Sequence, residues 1–411
     1  MKTVGIIAEF NPFHNGHAYL LKEARKITGA DAVVVVMSGN YVQRGTPALL
    51  SKYARIEMAL SGGADLVIEL PVFSACSSAE YFAEGAVRLL TDLGIDTVCF
   101  GSESGELDAL ASLAQLFAEE PEQYRALLKA SLASGANFPT ARRSAIASLL
   151  PELVPLLDEP NNLLAIEYLK AIYRLGSSLR PYTIQRAGSG YHEAALTNHS
   201  YPSATAIRNF FYQDAMPGTL ISFADYMPLS AVEIMEREFF RTFPVTEQDY
   251  SNLLALRLLS STKEELAELA DVGPELAARL YAHRFDHIQY SDFAMQLKTK
   301  ELTYTRICRA LLHIILGITA NDLETFRAFS QTPYMRVLGF TQAARPLLKE
   351  LAGRKLPLIT KPARAGELIS PEALPFWQKE LFASELYRQI SYSRYHTEQP
   401  SEYTHEILIL E

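Results

Sequence analysis

The 411-residue sequence predicts an α/β protein, with a doubly wound parallel-sheet domain over residues 1–216 followed by a mainly α-helical domain over 217–411. Short runs rich in Val and Ile alternate with amphipathic segments through the first third of the chain, the rhythm of successive βαβ units. Strand-like runs largely disappear after about residue 216. The length also exceeds what one ordinary core accommodates, so two or three domains are expected.

Thr3–Ala8, Ala32–Met37, Leu66–Leu70 and Thr97–Phe100 are short and almost continuously apolar, as strands buried on both faces must be. Between them Gly16–Thr28, Ser51–Leu60 and Ser78–Leu90 carry apolar residues at helical spacing. Right-handed crossovers build a doubly wound sheet from this order, and such sheets bind ligands beyond the carboxyl ends of their strands. Further helices are expected over Asp108–Phe117, Glu122–Ala133 and Thr140–Leu150. Pro151 and Pro155 interrupt the chain before a helix at Asn161–Leu175 and one more strand at Arg180–Gln185. GSGYHEAALTNHSYPSATAIRNFF (188–211) mixes Gly, Pro, Ser and His, and reads as a loop delivering residues to a site. Beyond a boundary near Asp214–Pro228, Val245–Ala282 and Leu302–Ile318 read as helices, and the terminal YTHEILILE (403–411) is able to return as a strand.

Composition narrows the function. A hydrophobic fraction of 48% with 21% charged residues is that of a soluble globular protein. No uninterrupted apolar run of about 18 residues exists, which excludes a membrane-spanning helix, and MKTVGIIAEFNPFH makes a poor secretory signal. Cys76, Cys99 and Cys308 lie far apart and form no CxxC, which points to a reducing cytoplasm rather than disulfides or a zinc module. The net charge is −9, yet residues 281–364 hold 13 Lys and Arg against 6 Asp and Glu, a local balance of +7. A polyanion site and a merely solvated basic face explain that segment equally well.

Chemistry concentrates in AEFNPFHNGHAYLL (8–21), directly after the first strand. His14 and His17 lack a third ligand at any recognised spacing, so zinc is a poor reading, and no protein metal ligands are expected. Two packed imidazoles without chemistry are the plainer alternative. The position argues for an anion site instead, because a helix N-terminus after strand one offers free N–H donors. Gly16 would let a phosphate approach them, and the histidines would add donors as charge develops.

Phe13-His14-Asn15-Gly16-His17 resembles the HxGH signature of the nucleotidyltransferase and class I aminoacyl-tRNA synthetase superfamily. A longer ordered set follows: SGNYVQRGTPALLSKYARIEMALSGGADLVIELP (38–71), FGSE (100–103), PNNLLAIEYLKA (160–171), QRAGSGYH (185–192) and YPSATAIR (201–208). With TYTRICRALLHIILG (303–317) and PYMRVLGF (333–340), it resembles the bacterial tRNA-Met cytidine acetate ligases over most of the chain. That resemblance implies a Rossmann-like sheet and a cytoplasmic enzyme using ATP, with Mg2+ accompanying the nucleotide. Acetate would become acetyl-adenylate with release of pyrophosphate. The acetyl group would then pass to N4 of the wobble cytidine of elongator tRNA-Met, releasing AMP. A small-molecule adenylyltransferase and a tRNA-binding protein without catalysis remain the alternative readings.

By the same resemblance, ATP lies across Ile7, Ala8, Glu9, Phe10, Asn11, Pro12, Phe13, His14, Asn15, Gly16, His17, Ala18, Tyr19 and Leu20, with Gly101, Asn162 and Arg186. Ser203-Ala204-Thr205-Ala206-Ile207-Arg208 resembles the Ser/Thr-x-x-Ile-Arg signature of many nucleotidyltransferases, though with three residues between Ser203 and Ile207 and one between Thr205 and Ile207. The resemblance implies that Ser203 or Thr205 caps the next helix and Arg208 reaches phosphate oxygens. His14, His17 and Arg208 are the expected catalytic residues. Asn40, Gln43 and Arg44 follow the second strand and are candidates for the acetate pocket. In the basic half, Lys298, Lys300, Arg306, Arg309 and Arg336 are candidates for tRNA phosphates, with Tyr304 and Tyr334 beside them. His192, His199, His283, His287, His313 and His396 carry no motif, and His313 reads as a packed core residue.

Overall fold

The computed structural model describes residues 1–186, 204–213 and 223–411. Its strands are β1 (Thr3–Ala8), β2 (Ala32–Ser38), β3 (Tyr41–Val42), β4 (Thr46–Pro47), β5 (Leu66–Leu70), β6 (Thr97–Ser102), β7 (Arg180–Gln185), β8 (Met335–Thr341), β9 (Leu358–Ile359) and β10 (Leu408–Leu410). One sheet runs in the order β10-β8-β5-β2-β1-β6-β7, with β9 beside β8, while β3 and β4 form a separate antiparallel hairpin. The five strands expected in the first half all form. From β1 the chain adds β2 and then β5 on one side, and returns with β6 and β7 on the other. That reversal at β1 creates the crevice in which sheets of this kind bind ligands.

Period-two alternation explains why β2 is apolar throughout. Val33, Val35 and Met37 enter the core on one face of the sheet, whereas Val34 and Val36 enter the core on the other. All seven residues of β2 are buried. Helices cover both faces, and their apolar stripes lie where the sequence put them: Asn15–Thr28, Lys52–Ser61, Ala79–Asp92 and Pro160–Leu175. The long helical expectation Val245–Ala282 resolves into a 3-10 turn at Glu247–Tyr250 and three helices, Ser251–Ser260, Lys263–Ala267 and Pro274–Ala282. His313 is fully buried in the helix Tyr304–Leu316, as its apolar neighbours implied.

The second half is mainly helical, but it is not a separate layer. β8 pairs antiparallel with β5, from Leu66↔Phe340 to Ile68↔Val337, and β10 joins parallel to β8. The expected division near residue 216 therefore does not divide the sheet, which takes strands from both sides of it. MRVLGFT does not read as a strand in the sequence because a short run amid helices, broken by Arg336 and Gly339, has no partner in sequence to identify it. The C-terminal segment does return, as β10.

Burial of charge ties the halves together. Lys52, 1% exposed, places Nζ 2.9 Å from Glu69 on β5, 2.9 Å from Glu402 near the C-terminus and 2.9 Å from the Ser384 hydroxyl. Burial opposes a charged lysine, but the two carboxylates outweigh it and raise the Lys52 pKa. Tyr53 also donates to Glu402, at 2.8 Å. Removing one member of such a cluster leaves buried charge uncompensated. Lys52→Met is therefore expected to cost about 3–5 kcal/mol, read from the shift in the urea unfolding midpoint. A shift worth less than about 1 kcal/mol would mean that the cluster does not bind the two halves as described.

Candidate active site

At the end of β1 the backbone folds back on itself. Phe10 takes a left-handed φ of 47°, disfavoured for a bulky side chain, and its 1% exposed ring packs edge-on against Phe13 and His17. The Asn11 side chain accepts a bond from Leu49 N, 2.8 Å away, so the turn is pinned to the loop after β4. Arg55, fully buried, reaches in from the helix Lys52–Ser61 and donates to the carbonyls of Glu9, Ser38, Gly39 and Leu50. Burial pushes its pKa down to about 10, so it remains cationic at neutral pH. One guanidinium thus gathers the ends of β1 and β2.

The histidines cap the helix Asn15–Thr28 themselves. Gly16 N–H donates to His14 Nδ1, 3.1 Å away, and His14 N–H donates to His17 Nδ1, 3.3 Å away. Both Nδ1 atoms are therefore acceptors, which assigns the proton of each neutral ring to Nε2. The rings stack with centroids 3.7 Å apart. Burial, then the charges of Arg186 and Arg208, lowers the His14 pKa to about 3, and burial with His14 and Arg186 lowers that of His17. Neutral imidazoles with outward Nε2–H donors result.

This corrects the sequence-based account of Gly16. The N-terminal N–H groups are already taken, since Asn15 N–H bonds the Tyr226 carbonyl and those of His17 and Ala18 bond the His14 carbonyl. A Cβ on Gly16 would stand 2.9 Å from His14 Cε1. The glycine makes room for the folded-back imidazole rather than for a phosphate, and the donors offered to an anion belong to side chains.

A cavity of about 380 Å³ opens at the carboxyl edge of the sheet. Of the expected ATP residues, Ile7, Ala8, Glu9, Phe10, Asn11, His14, His17, Leu20, Gly101, Arg186 and Thr205 line it, as does Arg208. Arg208 donates to the Asn11 carbonyl at 2.7 Å and to Thr205 Oγ1 at 3.0 Å, so Thr205 orients the arginine. Ser203 lies outside the described residues. Pro12, Phe13, Asn15, Gly16, Ala18 and Tyr19 do not line the cavity; Phe13 is fully buried beneath it and Asn15 bonds the Asp225 carbonyl.

Asn162 does not line the cavity. Its Oδ1 accepts from Glu103 N and Ser104 N, 3.0 and 3.2 Å away, so it shapes the loop after β6 without facing the cavity. Asn161, Leu164 and Tyr168 face it instead, together with Phe82 and Phe100. Asn161 adjoins Asn162 in PNNLLAIEYLKA, and the letters alone do not say which of the two turns to the cavity. Asn40 is likewise structural, its Oδ1 accepting from Lys52 N at 2.7 Å, whereas Gln43 and Arg44 do reach the cavity. Gln43 N–H donates to Glu9 Oε1, 2.7 Å away. Burial and neighbouring Arg208 lower the Arg44 pKa, and Glu9 opposes them. The cavity is thus lined by apolar and aromatic side chains together with three arginines and both histidines, with Glu9 the one carboxylate among its described lining residues.

Glu247, which drew no attention in the sequence, comes close from the second half. Burial raises its pKa and the Arg208 charge opposes the rise. Among the expected RNA contacts, Lys298, Lys300 and Arg306 are exposed. Arg309 is half-buried and bonds Asp271 at 3.1 Å. Arg336 is withdrawn from the set: it is 2% exposed, with its guanidinium 3.0 Å from the Thr360 carbonyl. Tyr334 is buried too and donates to Glu380. Both lie in or beside β8, which the sequence had not identified as a core strand.

The depressed histidine has a measurable consequence. With a native pKa of about 3 against 6.5 in the unfolded chain, His14 leaves the unfolded state the better proton binder between those values. Stability should therefore fall as pH drops from 6.5 toward 3. His14→Asn keeps a capping acceptor without an imidazole. Its unfolding midpoint should fall less steeply over that window than the wild type's, and equal slopes would contradict the assignment.

The chain matches the family model described as HIGH Nucleotidyl Transferase over residues 1–402. It is 38% identical over 416 residues to the tRNA(Met) cytidine acetate ligase of Acetivibrio thermocellus, covering 100% of both chains. It is 39% identical over 392 residues to the enzyme of that name from Thermoanaerobacter sp., covering 94% of this chain and 95% of the relative. Thermotoga maritima TmcAL in its apo form superposes with a TM-score of 0.93 at 30% identity, with 100% of both chains covered. The same protein bound with alpha-thio ATP gives 0.91. Matching along its whole length, the chain belongs to the tRNA(Met) cytidine acetate ligase family of the HIGH nucleotidyl transferases.

Proposed function

We propose that this protein uses ATP to activate acetate and transfers the acetyl group to N4 of the wobble cytidine of elongator tRNA-Met, forming N4-acetylcytidine. The observation that carries the reading is that His14, His17 and Arg208 line one cavity together with apolar and aromatic side chains, while both Nδ1 atoms are held by backbone N–H groups. A nucleotide calls for both kinds of lining, a flat base beside a polyphosphate.

In the first step an acetate oxygen bonds to the α-phosphorus and the bond to the bridging oxygen breaks, releasing pyrophosphate. Acetate is already a nucleophile, so the protein's tasks are alignment and charge compensation. His14, His17 and Arg208 are the catalytic residues of this reading, their donors meeting charge on the α-phosphate and on the leaving group. Thr205 and Asn11 position Arg208, and Arg186 serves the phosphates from β7. Gln43 and Arg44, beside Glu9, are the acetate-side residues. In the second step the cytidine N4 attacks the acetyl carbonyl, loses a proton, and the carbon–oxygen bond to AMP breaks. That amine is a weak nucleophile, its lone pair delocalised into the ring, so a mixed anhydride is the appropriate donor.

Mg2+ belongs to this reading as a companion of ATP rather than a resident ion. No group of three His, Cys, Asp or Glu suited to a metal occurs among the described residues, and Glu9 is engaged by Gln43 N–H. Residues 1–216 would carry the nucleotide chemistry and 217–411 the RNA contacts, through Lys298, Lys300 and Arg306 with Arg309 half-buried beside them. No described helix is long and apolar enough to cross a membrane. The free, buried Cys76, Cys99 and Cys308 agree with a cytoplasmic setting.

ATP–pyrophosphate exchange without RNA tests the first step. Exchange should require acetate; exchange driven only by a nucleotide or phosphopantetheine-like acceptor would make the protein a small-molecule adenylyltransferase. His14→Ala, His17→Ala and Arg208→Ala should each lower exchange by about 10²–10³-fold while leaving tRNA affinity intact. For the RNA contacts, a plot of log affinity against log salt should lose about one unit of slope in each of Lys298→Ala, Lys300→Ala and Arg306→Ala. Unchanged slopes in all three would remove the basic segment from the RNA interface.

A further inference from the structure

The turn between the helices Pro274–Ala282 and Tyr290–Leu297 carries Phe285, which is 73% exposed, more than any other large apolar side chain among the described residues. One exposed phenylalanine means little by itself. Here it completes a stack: the Arg284 guanidinium lies 3.6 Å from the centroid of the Tyr281 ring and 4.1 Å from that of Phe285. Arg284 also donates to the Tyr281 carbonyl, which fixes the guanidinium in place. A planar cation held against two rings leaves an aromatic surface open to water beside a positive charge.

The surroundings favour a polyanion. Lys298 and Lys300 follow the next helix and Arg306 lies in the first turn of Tyr304–Leu316; all three are exposed, and none forms an ion pair among the described residues. The nearby acid, Asp286, accepts from the His283 ring and from Gln296, 2.8 and 3.1 Å away, so it is already engaged. The turn is also tied to the cavity. Tyr290 donates to the Cys308 carbonyl at 3.0 Å and lies 3.4 Å from the Gly45 carbonyl. Gly45 belongs to the β3–β4 hairpin that carries Gln43 and Arg44. Its φ is 76°, and a Cβ there would stand 2.3 Å from Arg309 N, so hairpin and helix meet backbone to backbone. Phe285 is five residues from Tyr290, a chain reach of at most about 18 Å.

We propose that the Tyr281–Arg284–Phe285 stack is a platform on which an unpaired nucleotide of the substrate RNA loop stacks, outside the cavity that takes the cytidine. The proposal rests on the tRNA-acetylating function above. Single-stranded bases are held by such aromatic faces with a cation beside them. A contact with another protein would call for a contiguous apolar patch, whereas Phe285 stacks on a cation, in a stretch of chain that also carries the exposed Lys298, Lys300 and Arg306.

The test compares Phe285→Ala, Phe285→Leu and Phe285→Trp in the full-length protein. All three should retain acetate-dependent ATP–pyrophosphate exchange and the wild-type unfolding midpoint. Phe285→Ala and Phe285→Leu should weaken tRNA-Met binding by about ten-fold or more, and Phe285→Trp should restore it. The tryptophan fluorescence of Phe285→Trp should be quenched by a stem-loop carrying the anticodon. Unchanged tRNA affinity in Phe285→Ala would overturn the platform, as would rescue by leucine equal to rescue by tryptophan. Sedimentation showing a wild-type dimer that Phe285→Ala dissolves would overturn it in favour of self-association. Wild-type protein that performs the exchange but neither binds nor acetylates tRNA would defeat the underlying reading and the platform with it.

Discussion

The arrangement of the cavity depends on Arg55. Two parallel strands end side by side, and the loops leaving them must turn in different directions while their carbonyls face protein rather than water. An unpaired buried carbonyl costs about 1–3 kcal/mol. Arg55 meets those of Glu9, Ser38, Gly39 and Leu50 together from a side chain with no exposed surface. None of its bonds goes to a carboxylate among the described residues. The carbonyl dipoles stabilise the charge, and the charge holds the carbonyls in register. The loop after β1 then supplies Phe10 and the histidines, and the loop after β2 supplies Gln43 and Arg44.

The same helix anchors the rest of the chain. One turn before Arg55, Lys52 draws Glu69, Glu402 and Ser384 to a single ammonium, so the C-terminal segment closes over the edge where nucleotide chemistry is proposed. Ser384 and Tyr387 belong to the helix Leu374–Tyr395, and Tyr387 donates to the Ala48 carbonyl at 2.9 Å. Tyr290 and Gly45 join the hairpin to the helical half in the same region. RNA contact and acetate activation are therefore proposed for elements that share buried bonds, rather than for two bodies on a linker.

Electrostatically the cavity divides its labour. The arginines are permanently charged, and in the proposed reaction they would meet the polyphosphate. The imidazoles are kept neutral by burial and by those arginines, with Nδ1 committed to the backbone. In the proposed reaction such neutral donors would meet phosphate oxygens without adding cations that repel one another. Preorganisation of this kind compensates developing charge without rearrangement during the reaction.

The sequence by itself determined the parallel sheet and pointed to His14, His17 and Arg208, which the fold brings to one cavity at its carboxyl edge. Strand runs, helical spacing and the HxGH pattern are local, and local patterns survive in one dimension. Long-range pairing decided the remainder. β8 is a core strand only because β5 lies beside it, and that burial removes Arg336 and Tyr334 from the surface. Asn161 lines the cavity while the Asn162 side chain is held by the backbone of the Glu103 loop, a choice that a motif written in letters does not express. Gly16 was assigned a phosphate and proves to accommodate a ring, since only the folded structure shows which acceptors reach its N–H first. Arg55 and Lys52 fall within the 38–71 stretch, yet its letters assign them no role, because their partners lie 5 to 46 and 17 to 350 residues away.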